Sequence, residues 1–209
     1  MLLTFLDAQA LAAAAAGVHP ERLASCGRPT SAVRLAIMND DDQILPPHAR
    51  GEIVARGTLV SDGYYKMPEA TAEIRKHGWH HTGDVGYMDE DGYVYIVDRK
   101  KDMIITGGFN VFSAEVEAGI MALPDVQECA VIGVPDDTWG EAVKAFVVRR
   151  HGTAVTEAAI LAHCKTKLGG MKSPKSIEFL AEIPKTPAGK MDRKALRAPY
   201  WQGRDRAVH

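Results

Sequence analysis

Three short stretches of the sequence carry residues whose types and spacing could do chemistry. The first is "WHHTGDVGYMDEDG", residues 79–92, in which Thr82-Gly83-Asp84 reads as a tight turn between two strands. A carboxylate projecting there can accept from two vicinal hydroxyls at once, the usual way of holding a ribose. An Asp at such a corner can equally well bond its own backbone. The second is "YVYIVDRKKDMIITGGFN", residues 93–110, where a strand delivers Arg99, then Lys101 and Asp102 at a bend, then Gly107-Gly108. Arg99 can fork onto ribose or phosphate oxygens, and a solvated charge run beside a hairpin is the plain alternative. The third is "PKTPAGKMDRK", residues 184–194, in which Pro184 and Pro187 stiffen a loop and Gly189 frees its backbone. Lys190 is displayed at the end, where a point charge can enter an anionic reaction centre; an exposed basic tail is the alternative.

The elements that must position these residues follow from the pattern. "VRLAIM" and "GEIVARG" read as strands flanking the Asn-Asp-rich turn and Pro46-Pro47. "MPEATAEIRKHG" reads as a short helix with Pro68 in its first turn and Gly78 after it. Asp91-Gly92 signals a hairpin between "VGYM" and "YVYIV". Beyond Gly108, Ser113 is placed as the cap of a helix "AEVEAGIMALP", with Glu115 and Glu117 near its positive end. "VQECAVIGVP" and "EAVKAFVVRR" are strands, and "TEAAILAHCKTKLGG" is a helix capped by Thr156 and ended by Gly169. "SIEFLAEIP" is a further strand, and a loop then leads to a short helix in "DRKALR". A mostly β first half gives way to an α+β second half, with the boundary placed within residues 99–102.

Composition excludes several classes. The 209 residues carry 25 Lys and Arg against 27 Asp and Glu, so no basic field for nucleic acid exists. Cys26, Cys129 and Cys164 are odd in number and form no C-x-x-C pair, which suits buried free thiols in a reducing compartment. The apolar start "MLLTFLDAQALAAAAAGVHP" lacks a basic leader and is interrupted by Asp7. It is read as a helix capped by Asp7 and ended by Gly17, in a cytoplasmic chain without a transmembrane segment.

Taken together, "GYY…PEAT", "W-x-x-TGD", "GY-x-Y-x-x-DR", "K-D-M-I-I-x-GG-x-N-V", "E-V-E", "GVPD…WGE" and "P-K-T-x-x-G-K" occur in one order. The chain resembles the adenylate-forming, AMP-binding superfamily of acyl- and aryl-CoA ligases, peptide-synthetase adenylation domains and luciferases, from about Gly27 to Arg197. The resemblance implies an acid–thiol ligase that makes acyl-AMP from a carboxylate and ATP, then a CoA thioester. It implies that Asp84 and Arg99 bind the nucleotide, that Lys101 is the hinge, and that Lys190 is the catalytic lysine. It further implies that Gly107 and Gly108 line the pantetheine path, with Trp139, Lys172 and Lys175 as candidates for the rest of CoA. The fold class it implies is α+β: residues 1–98 as part of a small β subdomain, 99–102 as hinge, and 103–209 as a mobile lid domain.

"GVPDDTWGEAV" and "KSPK" look more like acyl-CoA ligases than luciferases, and "PYWQGRDRAVH" is too short for a carrier-protein segment. The family's Gly-Ser-Thr-rich phosphate loop and its adenine and Mg²⁺ stretch are not found among these residues. The chain alone is therefore expected to be inactive, with Mg²⁺ ligands and acyl pocket outside it. Its partners would be ATP, a carboxylic acid and CoA. Weak self-association into a homo-oligomer through residues 1–98 is expected as well. The alternative is a stand-alone, non-catalytic module that binds a nucleotide or a protein.

Overall fold

In a computed structural model, which describes residues 2–204, the chain divides between Lys100 and Lys101 into two compact units. Met1 and residues 205–209, which the sequence reading included in its two domains, lie outside the described residues.

The first unit begins with β1 (Thr4–Phe5) and α1 (Ala8–Ala15), where Ala10 N donates to Asp7 Oδ1 at 2.7 Å. Strand β2 (Arg28–Pro29) pairs with β1. Strands β3 (Val33–Met38), β4 (Gly51–Gly57), β6 (Trp79–Met88) and β7 (Val94–Arg99) form an antiparallel sheet. Period-two alternation sends Val33, Leu35 and Ile37 to one face with Ile53, Ala55 and Val94. Ala36, Met38 and Val54 go to the other face, with Trp79. Both faces are thus sealed by side chains that each contribute about 1.5–3 kcal/mol on full burial of a large apolar group. The helix α2 (Pro68–Ile74) is shorter than its sequence pattern suggests. Arg75–Lys76 leave it as β5 and fold back onto Trp79 and His80, with His77 and Gly78 at positive φ.

The second unit is an α+β sandwich. Strands β8 (Ile104–Thr106) and β9 (Phe109–Val111) are joined by Gly107-Gly108. Helix α3 (Ser113–Met121) follows, then the long hairpin of β10 (Val126–Asp136) and β11 (Gly140–Arg149). Helix α4 (Glu157–Lys172) leads to β12 (Ser176–Phe179), which pairs parallel to β11, and the unit closes with α5 (Arg193–Arg197). Alternation along β10 splits the core. Cys129 and Val131 face α3 and α4 with Ile120, Ile160 and Cys164, whereas Ala130 and Ile132 face Ile183 and Leu196.

Two helix ends differ from the expectation. Ser113 is the first helical residue and fully buried, so Phe112 occupies the cap position without a capping side chain. Gly169 does not end α4: it kinks it at φ 79° and ψ 166°, and the turn resumes to Lys172. The Thr156 cap is present, accepting from Ala159 N at 3.2 Å. The cysteines are free; Cys129 and Cys164 are buried, whereas Cys26 is only half-buried. Burial pushes the Cys129 thiol up to about 12, assisted by the nearby Glu117 charge. Among the described residues no helix is long and apolar enough to cross a membrane.

Candidate functional site

Thr82-Gly83-Asp84 is not a turn between two strands; it is a bulge inside the continuous strand β6. Val54 pairs with His81 and Glu52 with Val85, so Thr82, Gly83 and Asp84 all stand opposite the single residue Ile53. Such a mismatch re-aims side chains at a sheet rim. Gly83 takes φ +72°, which only glycine adopts without strain. The bulge is pinned from three sides: Thr82 Oγ1 donates to Ile53 O at 2.7 Å, Asp84 N donates to Thr82 Oγ1 at 3.1 Å, and Gly83 N donates to Glu52 Oε1 at 3.1 Å.

Asp84 lies directly across from Arg99 in the β6–β7 register, and Arg99 Nε stands 2.7 Å from Asp84 Oδ1. Burial pushes the Asp84 carboxyl above its ordinary value, Arg99 opposes this, and the charge of Glu52 adds to it. The arrangement leaves a part-buried carboxylate beside an Arg whose side chain is 56% exposed, so both can turn to a polyhydroxyl or phosphate ligand.

Glu52 was not singled out from sequence, yet it organises this site. Its Oε2 lies 3.1 Å from His81 Nδ1 and accepts from Lys100 Nζ at 3.2 Å. Burial alone would raise its carboxyl; the His81 hydrogen bond, the Lys100 charge and the Gly83 N–H outweigh that and hold it below the usual range. Lys100 also pairs with Asp40 at 2.9 Å. The one available sequence signal was an acid at the start of an otherwise apolar strand, "GEIVARG".

In the second unit, Gly107 and Gly108 have φ 56° and 79°, the pair of positive values that a two-residue hairpin turn requires. Gly107 N donates to Trp139 O at 2.8 Å, and a Cβ at Gly107 would lie 2.6 Å from the Trp139 ring. The structure therefore brings Gly107, Gly108 and the half-exposed Trp139 together. Trp139 also lines a cleft of about 310 Å³ with Ile105, Asp136, Glu141 and Trp201. Lys172 and Lys175 are engaged elsewhere: Lys172 Nζ is 2.6 Å from Glu115 Oε1, and Lys175 Nζ donates to Gly170 O at 3.1 Å.

Lys190 is exposed where a closed hairpin turn ends, opposite Thr186. Gly189 N donates to Thr186 O at 2.8 Å, Thr186 N donates to Lys190 O at 2.7 Å, and Lys185 bridges Met191. Among the described residues its ammonium makes no ion pair, so the charge is presented to solvent on a backbone of fixed shape. Lys101 is exposed within the 3₁₀ turn Lys100–Asp102. No cluster of His, Cys, Asp and Glu that could hold a metal exists among the described residues.

Comparison with known proteins adds the remaining element. Residues 115–190 match the family of the AMP-binding enzyme C-terminal domain. The medium/long-chain-fatty-acid–CoA ligase FadD8 of Mycobacterium tuberculosis is 45% identical over 202 residues, covering 93% of this chain and 35% of that protein. The 2-succinylbenzoate–CoA ligase of Geobacillus kaustophilus is 44% identical over 176 residues, covering 84% and 36%. Among solved structures, ATP-bound MatB from Rhodopseudomonas palustris matches at 38% identity and a TM-score of 0.80, over 85% of this chain and 36% of that one. Apo MatB matches over the same share of this chain at a TM-score of 0.61. The chain thus spans about a third of the length of the relatives it matches. On these matches and on its α+β fold, the chain belongs to the adenylate-forming, AMP-binding enzyme family.

Proposed function

We propose that this chain is the C-terminal portion of an ATP-dependent acid–thiol ligase. Such an enzyme joins a carboxylate to the α-phosphate of ATP, releasing pyrophosphate, and then passes the acyl group from AMP to the thiol of CoA. The observation that carries the reading is the pinned bulge that sets Asp84 against Arg99, in a chain that matches CoA ligases over nearly its whole length.

In this reading Asp84 accepts from the two ribose hydroxyls of the nucleotide, and Arg99 turns from Asp84 to the sugar or phosphate edge. Lys190 carries its charge to the oxygens of the carboxylate and α-phosphate, where negative charge concentrates as they join. The Gly107-Gly108 turn presents bare backbone, with Trp139 packed beside it, to the pantetheine arm of CoA. Lys172 and Lys175 serve the CoA phosphates only by exchanging their present partners Glu115 and Gly170 for them. No Mg²⁺ ligand is assigned to this chain.

Two half-reactions at one site call for a lid that moves, and the reading places its hinge within residues 99–102. The two MatB structures support this. The ATP-bound and apo forms of MatB each match 85% of this chain, at TM-scores of 0.80 and 0.61, a difference that suits a segment whose two parts move. Lys101→Pro in an enzyme completed with the upstream part of such a ligase fixes one φ. It is expected to lose one half-reaction and keep the other; equal loss of both would contradict a hinge.

The chain alone is expected to be inactive, because three contacts without a closed pocket do not repay the cost of ordering a ligand. The three free thiols suit the reducing cytoplasm. The test is a pyrophosphate-release assay with a panel of acids, ATP, Mg²⁺ and CoA. The reading predicts no turnover by the chain and turnover once the upstream polypeptide is supplied. Turnover by the chain alone would refute the reading that it is only a portion of the catalytic unit.

A further inference from the structure

The Lys190 turn stands against a helix too short to hold itself. Helix α5 spans only Arg193–Arg197, and a helix of that length has no stability of its own in water. Its start is tied to the turn. Asp192 N donates to Pro184 O at 2.8 Å across the base of the turn, and Asp192 Oδ1 accepts from Ala195 N at 2.9 Å. Within α5 only Leu196 is buried, in a cluster with Ala130, Ile132 and Ile183. An apolar contact has no direction and leaves the helix free to rotate about it.

Charges supply the direction. A spacing of four places Arg193 and Arg197 on one face of α5. Arg193 Nη2 donates to both oxygens of Glu117 on α3, at 2.7 and 2.8 Å, and Arg193 Nη1 lies 3.9 Å from Asp102 Oδ2. Arg197 Nη1 donates to Asp102 Oδ1 at 2.7 Å. Glu117 Oε1 also accepts from Val131 N at 2.9 Å, which ties the network to β10. The side chains of Glu117 and Asp102 are only 13% and 10% exposed, so these are not solvated surface pairs. All of these residues belong to the unit Lys101–His209.

We infer that Glu117, Asp102, Arg193 and Arg197 form a mount that sets the direction of the Lys190 turn, which makes them positioning residues for acyl-AMP formation. The inference rests on the role proposed for Lys190 and deepens it. The Lys190 ammonium rides on a flexible four-carbon stem, so the place it reaches depends on how its backbone is held. A planar guanidinium can address Glu117 and Asp102 at once, whereas an ammonium in its place is a point charge that satisfies one of them. Withdrawing either arginine strands a poorly hydrated carboxylate, so the mount resists rotation of α5 and of the turn tied to it.

The test reads the turn first in the full chain, through hydrogen exchange of the amides of Thr186, Gly189 and Asp192, which close it. Arg193→Lys should speed their exchange about tenfold or more, the scale of losing a hydrogen bond to a charged group, and leave the β11 amides at the parent rate. Ile160→Val, which trims the core on the other face of the sheet, should leave the turn amides unchanged. Unchanged turn exchange in Arg193→Lys, or an equal rise in Ile160→Val, would overturn the inference. Glu117→Gln approaches the same contact from α3 and should give the same pattern, so misfolding of one variant leaves the other decisive.

A second reading uses the enzyme completed with the upstream part of such a ligase. Arg193→Lys should slow acyl-AMP formation about a hundredfold, the scale of a misplacement of about 1 Å. Transfer from preformed acyl-AMP to CoA, and affinity for AMP, should stay near the parent values; equal slowing of both steps would overturn the inference. Lys190→Ala separates the two claims. If it spares acyl-AMP formation, the role proposed for Lys190 fails; if it abolishes that step while Arg193→Lys does not slow it, the mount alone fails.

Discussion

The Asp84 bulge and the Lys190 turn present charged side chains by opposite means. The bulge is part-buried and cross-braced by the side chains of Thr82 and Glu52, with Arg99 in contact across the strand pair. The Lys190 turn is closed by hydrogen bonds that its backbone makes to Thr186, and the ammonium projects into solvent. In the proposed function the first is a preorganised receptor, and burying its carboxylate costs folding stability. The second is a charge on a stiff stalk, cheap to fold because its desolvation waits for a ligand. A group that must recognise a sugar in place suits the first design. A group that must be delivered to a reacting centre suits the second.

The sharpest way to break this contrast is to remove the charge beneath the bulge. Glu52→Gln should cost about 1–3 kcal/mol at neutral pH, the usual penalty when a buried charge-assisted network loses a partner. Because Glu52 is held below its ordinary value of 4.5, its contribution is present above that pH and is lost as pH falls through the lower folded value. Urea melts of both proteins should therefore differ at pH 7 and converge in acid. A constant difference at all pH values would show that the charge is not the support.

A smaller effect is expected at the second unit's hairpin. Gly107→Ala places a Cβ against the Trp139 ring at φ +56°, and should cost about 1–2 kcal/mol. It should also shift the Trp139 fluorescence, whereas Gly108→Ala, which meets nothing within 4 Å, should alter stability alone.

The smallest stability effect, with the opposite sign, is expected at Asp84. Its carboxyl is raised, so its ionised form weakens folding once pH rises through the folded value. Asp84→Asn should be as stable as the parent in acid and at least as stable at pH 7, while losing affinity for AMP in the completed enzyme. Clear destabilisation at pH 7 would mean that the Arg99 pair outweighs the burial.

Much of the fold was legible because alternation and turn residues speak locally. The strands "VRLAIM" and "GEIVARG", the Asp91-Gly92 hairpin and the Asp7 and Thr156 caps stand where their residues put them. The bulge was not legible, because it is a mismatch in count between two strands and no residue of β6 records the length of β4. Glu52 was hidden for the same reason: its partners His81, Gly83 and Lys100 lie 29, 31 and 48 residues away. The short strands beside Gly107-Gly108 were missed because three residues carry too little periodicity to register. Arg99 at a strand end and Lys190 on an exposed loop were legible from residue type and order, because strand ends and displayed lysines are local features; the roles proposed for them and for Asp84 rest on the resemblance. The network behind Lys190, from Asp102 to Arg197, is held by contacts 95 residues apart.

The central claim is that this chain brings a preorganised nucleotide contact and a delivered lysine to an adenylate-forming reaction. It is tested most directly by measuring the two half-reactions separately in the completed enzyme carrying Lys190→Ala. Acyl-AMP formation should fall by about a thousandfold or more, the scale of losing a charge aimed at the transition state. Transfer from preformed acyl-AMP to CoA should stay near the parent rate. Equal damage to both steps, or intact acyl-AMP formation, would contradict the account.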